Sequence, residues 1–330
     1  MTDFTDLVDL AAERLGGAVL LANDEFFAPK EALLRAAPAE WREGEYTDRG
    51  KWMDGWETRR RRTPGHDWCL VRLGLPGVVR GVVVDTSYFR GNYPEECLLE
   101  GAEVAGVPEP ARLAEDAAVT WTTLVPRSPL KGDARNEFAV QAGRRVTHLR
   151  LTIFPDGGVA RLRVHGHVRP GANLLAAGRE IDLAAMENGA YVVVCSDMFF
   201  GHRQNLILPG RSTHMGDGWE TKRRRGPGND WAIVRLAGRG TIGRIELDTD
   251  HYKGNAPGSC MLEWGDLPDA TADGLVGSRG WRELRAQTPL QPHARHVWDV
   301  ASGAPATHVR LNIYPDGGVA RLRLFGTLAP

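Results

Sequence analysis

The sequence predicts an all-β chain built as two tandem β-sandwiches that arose by internal duplication. Two long motifs recur in the same order, runs of alternating or β-branched residues lie between turn signals, and the 330 residues include 39 Gly and 20 Pro. Short strands with turn signals about every 8 to 12 residues are typical of antiparallel sandwiches. At about 150 residues per domain this length predicts two domains, which we place at residues 1–170 and 171–330.

The duplication is visible when the chain is aligned with itself. Asp54–Arg62 reads DGWETRRRR and Asp217–Arg225 reads DGWETKRRR, an offset of 217 − 54 = 163. His148–Gly166 and His308–Gly326 share the nine-residue string PDGGVARLR, at an offset of 308 − 148 = 160. A Pro-Gly pair breaks any strand within 167–183, so we expect the join there.

The strand pattern within a copy is clearest in two places. Asp67–Leu73 and Val78–Asp85 are short and β-branched, and the Gly-Leu-Pro-Gly between them predicts a turn. Apolar residues alternate with polar ones in 148–153 and again in 159–165, on either side of Pro-Asp-Gly-Gly. This pattern is typical of two antiparallel strands and a turn. Short helical turns are expected near the start of the copies, in 27–34 and 182–187.

Composition and charge argue against several classes of protein. Basic and acidic side chains nearly balance, 41 against 42, which removes the usual electrostatic reason to expect nucleic acid or an anionic membrane as partner. No apolar run approaches the ~18 residues of a membrane span, and the N-terminal segment lacks the basic region of a signal peptide. The four cysteines are far apart and form no C-x-x-C pair. We therefore expect a reduced, cytoplasmic protein and leave homo-oligomer formation open.

Three polar islands in the first copy carry more charge than turns require. The first contains Asp54 and Glu57 followed by four arginines, which suits an acid next to an anion-binding group such as Arg60. Arginines facing water along an edge strand are the structural alternative. The second is His66 beside Asp67, a general base with an orienting carboxylate. Neighbouring strand residues point to opposite faces, however, and the second copy has asparagine at the position of His66.

The third island follows an apolar strand and combines an acid, an aromatic ring, a cation and an amide. Matching types recur in the second copy, whereas a simple capped turn needs only the Gly-Asn pair. The polar positions of the shared PDGGVARLR motif add Arg161 and Arg321 as secondary anion-binding candidates. The candidates of this loop and of the second copy are Asp85, Tyr88, Arg90, Asn92, Asp217, Glu220, Asp248, His251, Lys253 and Asn255.

Motifs for metal and nucleotide chemistry are missing from the sequence. The ten histidines are scattered, without a His-x-His or His-Glu-x-x-His pattern. A P-loop, a G-x-S-x-G motif and a helix-opening G-x-G-x-x-G are also lacking. We therefore predict no metal site and no cofactor, and leave a requirement for a divalent ion open.

The motifs NDEFFAPKEALL, GKWMDGWETRRRR, VDTSYFRGNYPE and the repeated PDGGVARLR closely resemble those of the allantoicase (allantoate amidinohydrolase) family, over Leu21–Gly326. The resemblance implies a tandem pair of jelly-roll β-sandwiches of the galactose-binding-like type. It also implies a hydrolase of C–N bonds in linear amidines and ureides. Such an enzyme converts the small molecule allantoate to ureidoglycolate and urea in purine degradation.

Allantoate is a carbon atom that carries one carboxylate and two ureido groups, and the islands offer partners for each. The carboxylate needs a cation, for which the candidates are Arg60, Arg90 and Lys253. The departing urea nitrogen needs a proton from a carboxyl or imidazole acid, for which the candidates are Asp54, Glu57 and His66. A second carboxylate, Asp85, would activate water, and Asn92 would bind a ureido carbonyl.

Two other functions fit the same sequence. Sandwiches of the galactose-binding-like type are often non-catalytic ligand modules, because a fold does not dictate function. A different ureide-processing hydrolase would act on ureidoglycolate or release ammonia in place of urea. The polar loops rich in Asp, Glu, Arg and His favour an enzyme over a ligand module. The other ureide hydrolases depend on a metal and would be expected to show clustered His and Asp ligands, which this sequence lacks.

Overall fold

The computed structural model describes residues 3–141, 143–171 and 178–329. These residues fall into two compact units, one within Met1–Arg169 and one within Pro170–Pro330. Part of the predicted join, 172–177, lies outside the described residues. The regular secondary structure of each described unit consists almost entirely of β-strands, so the all-β prediction is confirmed.

Among its described residues, the first unit contains twelve strands, one short α-helix and three 3-10 turns. The turn at Lys30–Leu34 confirms the helical turn expected within 27–34. The other two turns are Phe4–Asp6 and Glu13–Leu15, and the helix α1 is Pro110–Glu115. The strands are β1 Val8–Asp9, β2 Ala18–Ala22, β3 Tyr46–Thr47, β4 Gly50–Lys51, β5 Trp56–Glu57, β6 Asp67–Asp85, β7 Glu96–Ala102, β8 Thr122–Pro129, β9 Arg135–Ala139, β10 Val146–Phe154, β11 Gly158–Val159 and β12 Arg161–Val168.

One long strand, β6, belongs to both layers of the first sandwich. Its first part lies between β2 and β10, and the layer continues to β7 and β8. Its last part lies between β9 and β12, and that layer continues to β1. All these pairings are antiparallel, with Leu151 opposite Cys69 and Leu162 opposite Val84. Leu151 and Leu162 are fully buried, as expected for the core between two sheets.

The prediction of two strands in 67–85 is wrong, because β6 is continuous over 19 residues. The backbone nitrogens of Gly74 and Leu75 donate to the carbonyl of Leu10 instead of closing a turn. A Cβ added to Gly74 would lie 2.6 Å from the Leu15 oxygen, and one added to Gly77 would lie 2.4 Å from the His167 oxygen. These glycines therefore permit close backbone approach and do not mark a reversal.

The two strands predicted around the Pro-Asp-Gly-Gly turn both exist, as β10 and β12, but they do not pair with each other. β10 lies between β6 and β7, whereas β12 lies between β6 and β1. The chain between them forms β11, which pairs with β5. The turn therefore carries the chain from one sheet to the other, and this crossing brings PDGG next to the DGWE motif.

The second unit repeats this arrangement, with β16 in the place of β6. The 3-10 turn Met186–Asn188 overlaps the helical turn predicted at 182–187. Two further turns are Arg203–Ile207 and Met215–Asp217, and helix α2 is Ala272–Val276. The strands are β13 Glu180–Asp182, β14 Tyr191–Cys195, β15 Trp219–Glu220, β16 Asp230–Asp248, β17 Ser259–Gly265, β18 Arg282–Pro289, β19 Arg295–Asp299, β20 Ala306–Tyr314, β21 Gly318–Val319 and β22 Arg321–Leu328.

The units differ in the connection that precedes β5 and β15. Phe27 and Glu57 are 57 − 27 = 30 positions apart, whereas Phe200 and Glu220 are 220 − 200 = 20 positions apart. The first unit uses its ten extra residues for a small hairpin, β3–β4, which has no counterpart among the described strands of the second. Over the described residues, no helix has the length and apolar character needed to span a membrane.

Candidate active site

Glu57 is held by a two-residue strand that is paired on both sides. The Glu57 backbone pairs with Gly158 of β11 on one side and with Ala28 on the other. The preceding Trp56 is fully buried, and its indole Nε1 donates to the Asp24 carbonyl at 2.8 Å. The buried indole and the backbone pairs fix the direction in which the Glu57 side chain leaves the strand.

Asn92 comes from the loop that follows β6. Tyr88 in this loop has a φ of +69°, a strained conformation for a bulky residue, and its backbone N–H donates to Asp133 Oδ1 at 2.8 Å. The Asn92 carbonyl accepts a 2.7 Å hydrogen bond from the Gly158 nitrogen. The Asn92 amide is thereby brought to Glu57, where Nδ2 donates to Oε1 at 2.7 Å.

A cavity of about 450 Å³ opens in front of the Glu57–Asn92 pair. The Lys51 ammonium lies 4.0 Å from the centroid of the Trp41 ring, which in turn lies 5.8 Å from the Tyr88 ring. Arg90 is 79% exposed and donates to Asp133 at 3.0 Å, a pairing that water screens strongly. The lining residues are Phe27, Trp41, Lys51, Met53, Glu57, Tyr88, Arg90, Gly91 and Asn92.

Burial controls the protonation of Glu57, whose exposed fraction is 8%. Desolvation raises the pKa of its carboxyl above the ordinary value, and the hydrogen bond from Asn92 offsets this only in part. A carboxylic acid with a raised pKa keeps its proton closer to neutral pH. Glu57 can therefore donate a proton inside a cavity that also presents two cations.

Asp54 has a different environment although it lies only three positions away. It accepts hydrogen bonds from Arg161 Nη2 at 2.5 Å, from Arg35 at 3.1 Å and from the Glu40 nitrogen at 2.9 Å. Burial opposes its charge, but these bonds and the two guanidinium groups hold the pKa of Asp54 below its usual range. Asp54 is therefore ionised at neutral pH, and it does not line the cavity.

Arg161 is a structural clamp in this structure. It is 2% exposed, and its five N–H groups donate to the carbonyls of Ala37, Pro38, Asp54 and Ala160 and to the Asp54 carboxylate. The alternating pattern correctly assigns Arg161 a strand position. It does not reveal that the partner Asp54 lies 107 positions earlier in the chain.

The structure keeps the other first-copy candidates apart from Glu57. His66 lines a separate cavity of about 390 Å³ with Trp68 and Phe154. The Asp67 carboxylate accepts hydrogen bonds from Arg61 and Asn23, so His66 does not receive it as an orienting partner. These two residues therefore do not form the expected dyad.

Asp85 and Arg60 also lie outside the wall of the Glu57 cavity. The Asp85 carboxylate accepts hydrogen bonds from the Ser87 nitrogen and hydroxyl, at 2.8 and 2.6 Å, and so stabilises the start of the loop. Arg60 is exposed. The structure brings together Glu57, Tyr88, Arg90 and Asn92 of the predicted set.

The second copy repeats the pair and the clamp. Asn255 Nδ2 donates to Glu220 Oε1 at 2.5 Å, and Arg321 Nη2 donates to Asp217 Oδ2 at 2.9 Å. Lys253 is exposed. These contacts are those of the aligned residues in the first copy.

The loop after β16 has its own hydrogen bonds. Asp248 accepts from the Asp250 nitrogen at 2.8 Å, and His251 Nε2 lies 3.0 Å from the Ser212 carbonyl. His251 has a φ of +70°, close to that of Tyr88. The unusual backbone is therefore a property of the duplicated loop.

Residue patterns did not identify Lys51, Trp41 and Asp133. Lys51 and Trp41 lie in the connection that is ten residues longer in the first copy, where the two copies share no motif. That extra length is itself the signal that could have found them. Asp133 lies 45 positions beyond Tyr88, and no local pattern connects the two.

A metal centre is not evident in the part of the chain that the structure describes. Among residues 3–141, 143–171 and 178–329, no group of three or more His, Cys, Asp or Glu side chains is arranged to hold an ion.

Known proteins resemble this chain over nearly its full length. The family model described as "Allantoicase repeat" matches residues 8–169 and 181–329. The probable allantoicase from Nocardia farcinica is 51% identical over 98% of this chain and 95% of its own length. The probable allantoicase from Streptomyces coelicolor is 50% identical over 98% of this chain and 86% of its own length. The crystal structure of allantoicase from Saccharomyces cerevisiae is 34% identical, covers 97% of this chain and 92% of its own, and superposes with a TM-score of 0.80.

Proposed function

The chain belongs to the allantoicase family, and from this we propose that it hydrolyses allantoate to ureidoglycolate and urea in the Glu57 cavity of the first copy. One observation carries the assignment of the site. Glu57 is a buried carboxyl with a raised pKa, it is hydrogen-bonded to Asn92, and it lines a cavity together with Lys51 and Arg90. A proton donor beside two cations suits a substrate that is an anion with a poor leaving group.

Substrate binding begins with the carboxylate. Arg90 offers a planar fork of donors and Lys51 a point charge, and both belong to the cavity wall. Arg90 is largely exposed, so exchanging its contact with Asp133 for a substrate carboxylate costs little. Asn92 uses one Nδ2 hydrogen for Glu57, and the second N–H of the same amide can bind a ureido carbonyl.

The reaction breaks one C–N bond at the central carbon. Glu57 gives its proton to the departing nitrogen, so that neutral urea leaves instead of an anion. The lone pair on the remaining ureido nitrogen stabilises the carbon as an N-acyliminium ion, which keeps its N–H proton. Water then adds to this carbon, gives its proton to the Glu57 carboxylate and restores the acid. Glu57 thus acts first as acid and then as base, and the products are ureidoglycolate and urea.

The other predicted acids receive less support. Asp54 lacks a proton to donate at neutral pH because its pKa is held low. His66 and Asp85 do not line the Glu57 cavity, and Asp85 is engaged by Ser87. We therefore assign none of these three residues a direct role in the bond-breaking step.

The proposal also covers the compartment, cofactors and partners of the enzyme. The buried cysteines Cys69, Cys97 and Cys260 are free thiols, which supports a reducing compartment such as the cytoplasm. The proposed steps use side chains only and require no cofactor. The partner is the small-molecule substrate, and neither nucleic acid nor a membrane enters the scheme.

The test is incubation of the purified chain with allantoate, with urea, ureidoglycolate (or the glyoxylate to which it decays) and ammonia measured separately. Urea equal to the ureidoglycolate plus twice the glyoxylate supports the proposal, because the decay of each ureidoglycolate releases a second urea. Ammonia in place of urea would identify another ureide hydrolase, and binding without turnover would identify a ligand module. A parallel sample dialysed against EDTA should retain its rate, and a loss that Mg²⁺ or Mn²⁺ restores would add a metal to the scheme.

A further inference from the structure

The Glu–Asn pair occurs once in each copy, but the walls around the two pairs differ. In the first copy the β3–β4 hairpin covers Phe27, since a Cβ added to Gly50 would lie 3.5 Å from the Phe27 ring. Phe27 is half-buried, whereas the aligned Phe200 is 62% exposed. The extra segment therefore builds one side of the first cavity, and the second copy lacks it.

Met215 lies against the pair of the second copy. Its sulfur is 3.4 Å from Asn255 Nδ2, the same atom that donates to Glu220. Tyr252 Oη donates to the Met215 carbonyl at 2.7 Å and holds this residue in place. The aligned residue in the first copy, Phe89, has no hydroxyl group with which to make that bond. The Asn255 amide therefore contacts a thioether sulfur, whereas the aligned Asn92 amide faces the cavity of the first copy.

The charged groups around the second Glu–Asn pair also differ from those around the first. Lys253 aligns with Arg90, and at the 163-residue offset of the DGWE motifs the position of Lys51 is taken by His214. The neighbouring Asp250 pairs with Arg211 at 2.9 Å and with His293 at 2.8 Å. Arg211 and His293 are therefore already paired with a carboxylate, which makes them less available to an anionic substrate.

We infer that each chain has one catalytic site, in the first copy, and that the Glu220–Asn255 pair does not turn over substrate. The longer connection with Trp41 and Lys51 completes the working site, whereas in the other copy Tyr252 holds Met215 against the Asn255 amide. This inference rests on the proposed function and adds to it which half of the duplicated chain performs the chemistry.

The duplication supplies matched variants for a test in the intact chain. Glu57→Gln removes the acid with almost no change in shape and should lower kcat by about 10²- to 10⁴-fold. Glu220→Gln makes the same change in the second copy and should leave kcat and KM within about twofold of wild type. A comparable loss in Glu220→Gln, or two single variants that each halve kcat, would overturn the inference.

Binding stoichiometry gives a second measurement that does not depend on the fold of the Glu220 variant. Titration calorimetry of allantoate into Glu57→Gln should show one site per chain or none, with no second site of similar affinity. Two equivalent sites per chain would overturn the inference. Failure of the proposed function is distinguishable, because the wild-type chain would then produce no urea from allantoate.

Discussion

Asn92 Nδ2 donates a 2.7 Å hydrogen bond to Glu57 Oε1, which connects a two-residue strand to a loop 35 positions later. The bond favours the ionised carboxylate, while burial favours the neutral acid, and burial prevails. The same amide therefore orients the acid and limits the rise of its pKa. This balance makes the protonation of Glu57 sensitive to changes that leave Glu57 itself intact.

The pH dependence of kcat/KM should report this balance. The active form carries the proton on Glu57, so the rate should be flat at pH values below the pKa of Glu57 and fall above it. Asn92→Leu removes the bond that lowers this pKa, so the falling limb should move to higher pH while the maximum rate decreases. Asn255→Leu in the second copy is the control and should not move the limb. An unchanged limb in Asn92→Leu would contradict the assignment of Glu57.

Removing the cations of the cavity should weaken substrate binding more than it slows chemistry. We expect Lys51→Met and Arg90→Gln each to raise KM for allantoate by about tenfold or more, since one tenfold step corresponds to about 1.4 kcal/mol. Raising the salt concentration should reduce the difference from wild type. Arg60→Gln, which changes an exposed arginine outside the cavity wall, is the matched control. Unaltered KM in both cavity variants would refute the proposed carboxylate site.

The clamp between Arg161 and Asp54 should contribute to stability. Arg161→Met leaves a buried carboxylate without its main partner and should cost about 3–5 kcal/mol in unfolding free energy. Urea denaturation can measure this loss, with the exposed Arg62→Met as control.

The sign of the pH effect distinguishes this clamp from a packing contact. The pKa of Asp54 is lowered by folding, so its contribution is present above the unfolded pKa and is lost as the pH falls through the folded value. The difference in unfolding free energy between wild type and Arg161→Met should therefore become smaller at acidic pH. A gap that does not depend on pH would assign the loss to packing alone.

The glycine pair of PDGG should be required for packing against the catalytic loop. A Cβ on Gly158 would lie 2.0 Å from the Phe89 ring, so Gly158→Ala should destabilise the first unit by about 1–3 kcal/mol or more. The double variant Phe89→Leu, Gly158→Ala replaces the ring with a smaller side chain and should recover part of the lost unfolding free energy. A double-mutant cycle measures this recovery. Gly91→Ala is the control, since a Cβ at Gly91 meets nothing within 4 Å. Strictly additive losses would show that the two residues do not conflict.

Repetition and periodicity were sufficient to predict the all-β class and the duplication. The period of two specifies which face of a strand is buried, but it does not specify the neighbouring strand. This explains why β10 and β12 were recognised as strands while their partners were not. Glycines in 74–77 resemble a turn in sequence because close backbone approach and chain reversal both favour glycine.

The candidate site was predictable in part. Glu57, Arg90 and Asn92 lie in long duplicated motifs and meet in one cavity. Asp54 has the same residue type as an acid catalyst, and only its contact with Arg161 identifies it as a clamp. Lys51 was missed because it lies in the connection whose length differs between the copies, where no motif recurs.

The strand Asp67–Asp85 has a consequence for how the first unit opens. Because a single segment is a member of both sheets, neither sheet can separate from it without disturbing the other. Amide hydrogens at its two ends should therefore exchange with solvent through one cooperative event. The loop that carries Tyr88 and Asn92 leaves from the end of this segment, so the site is attached to the part of the molecule that opens last.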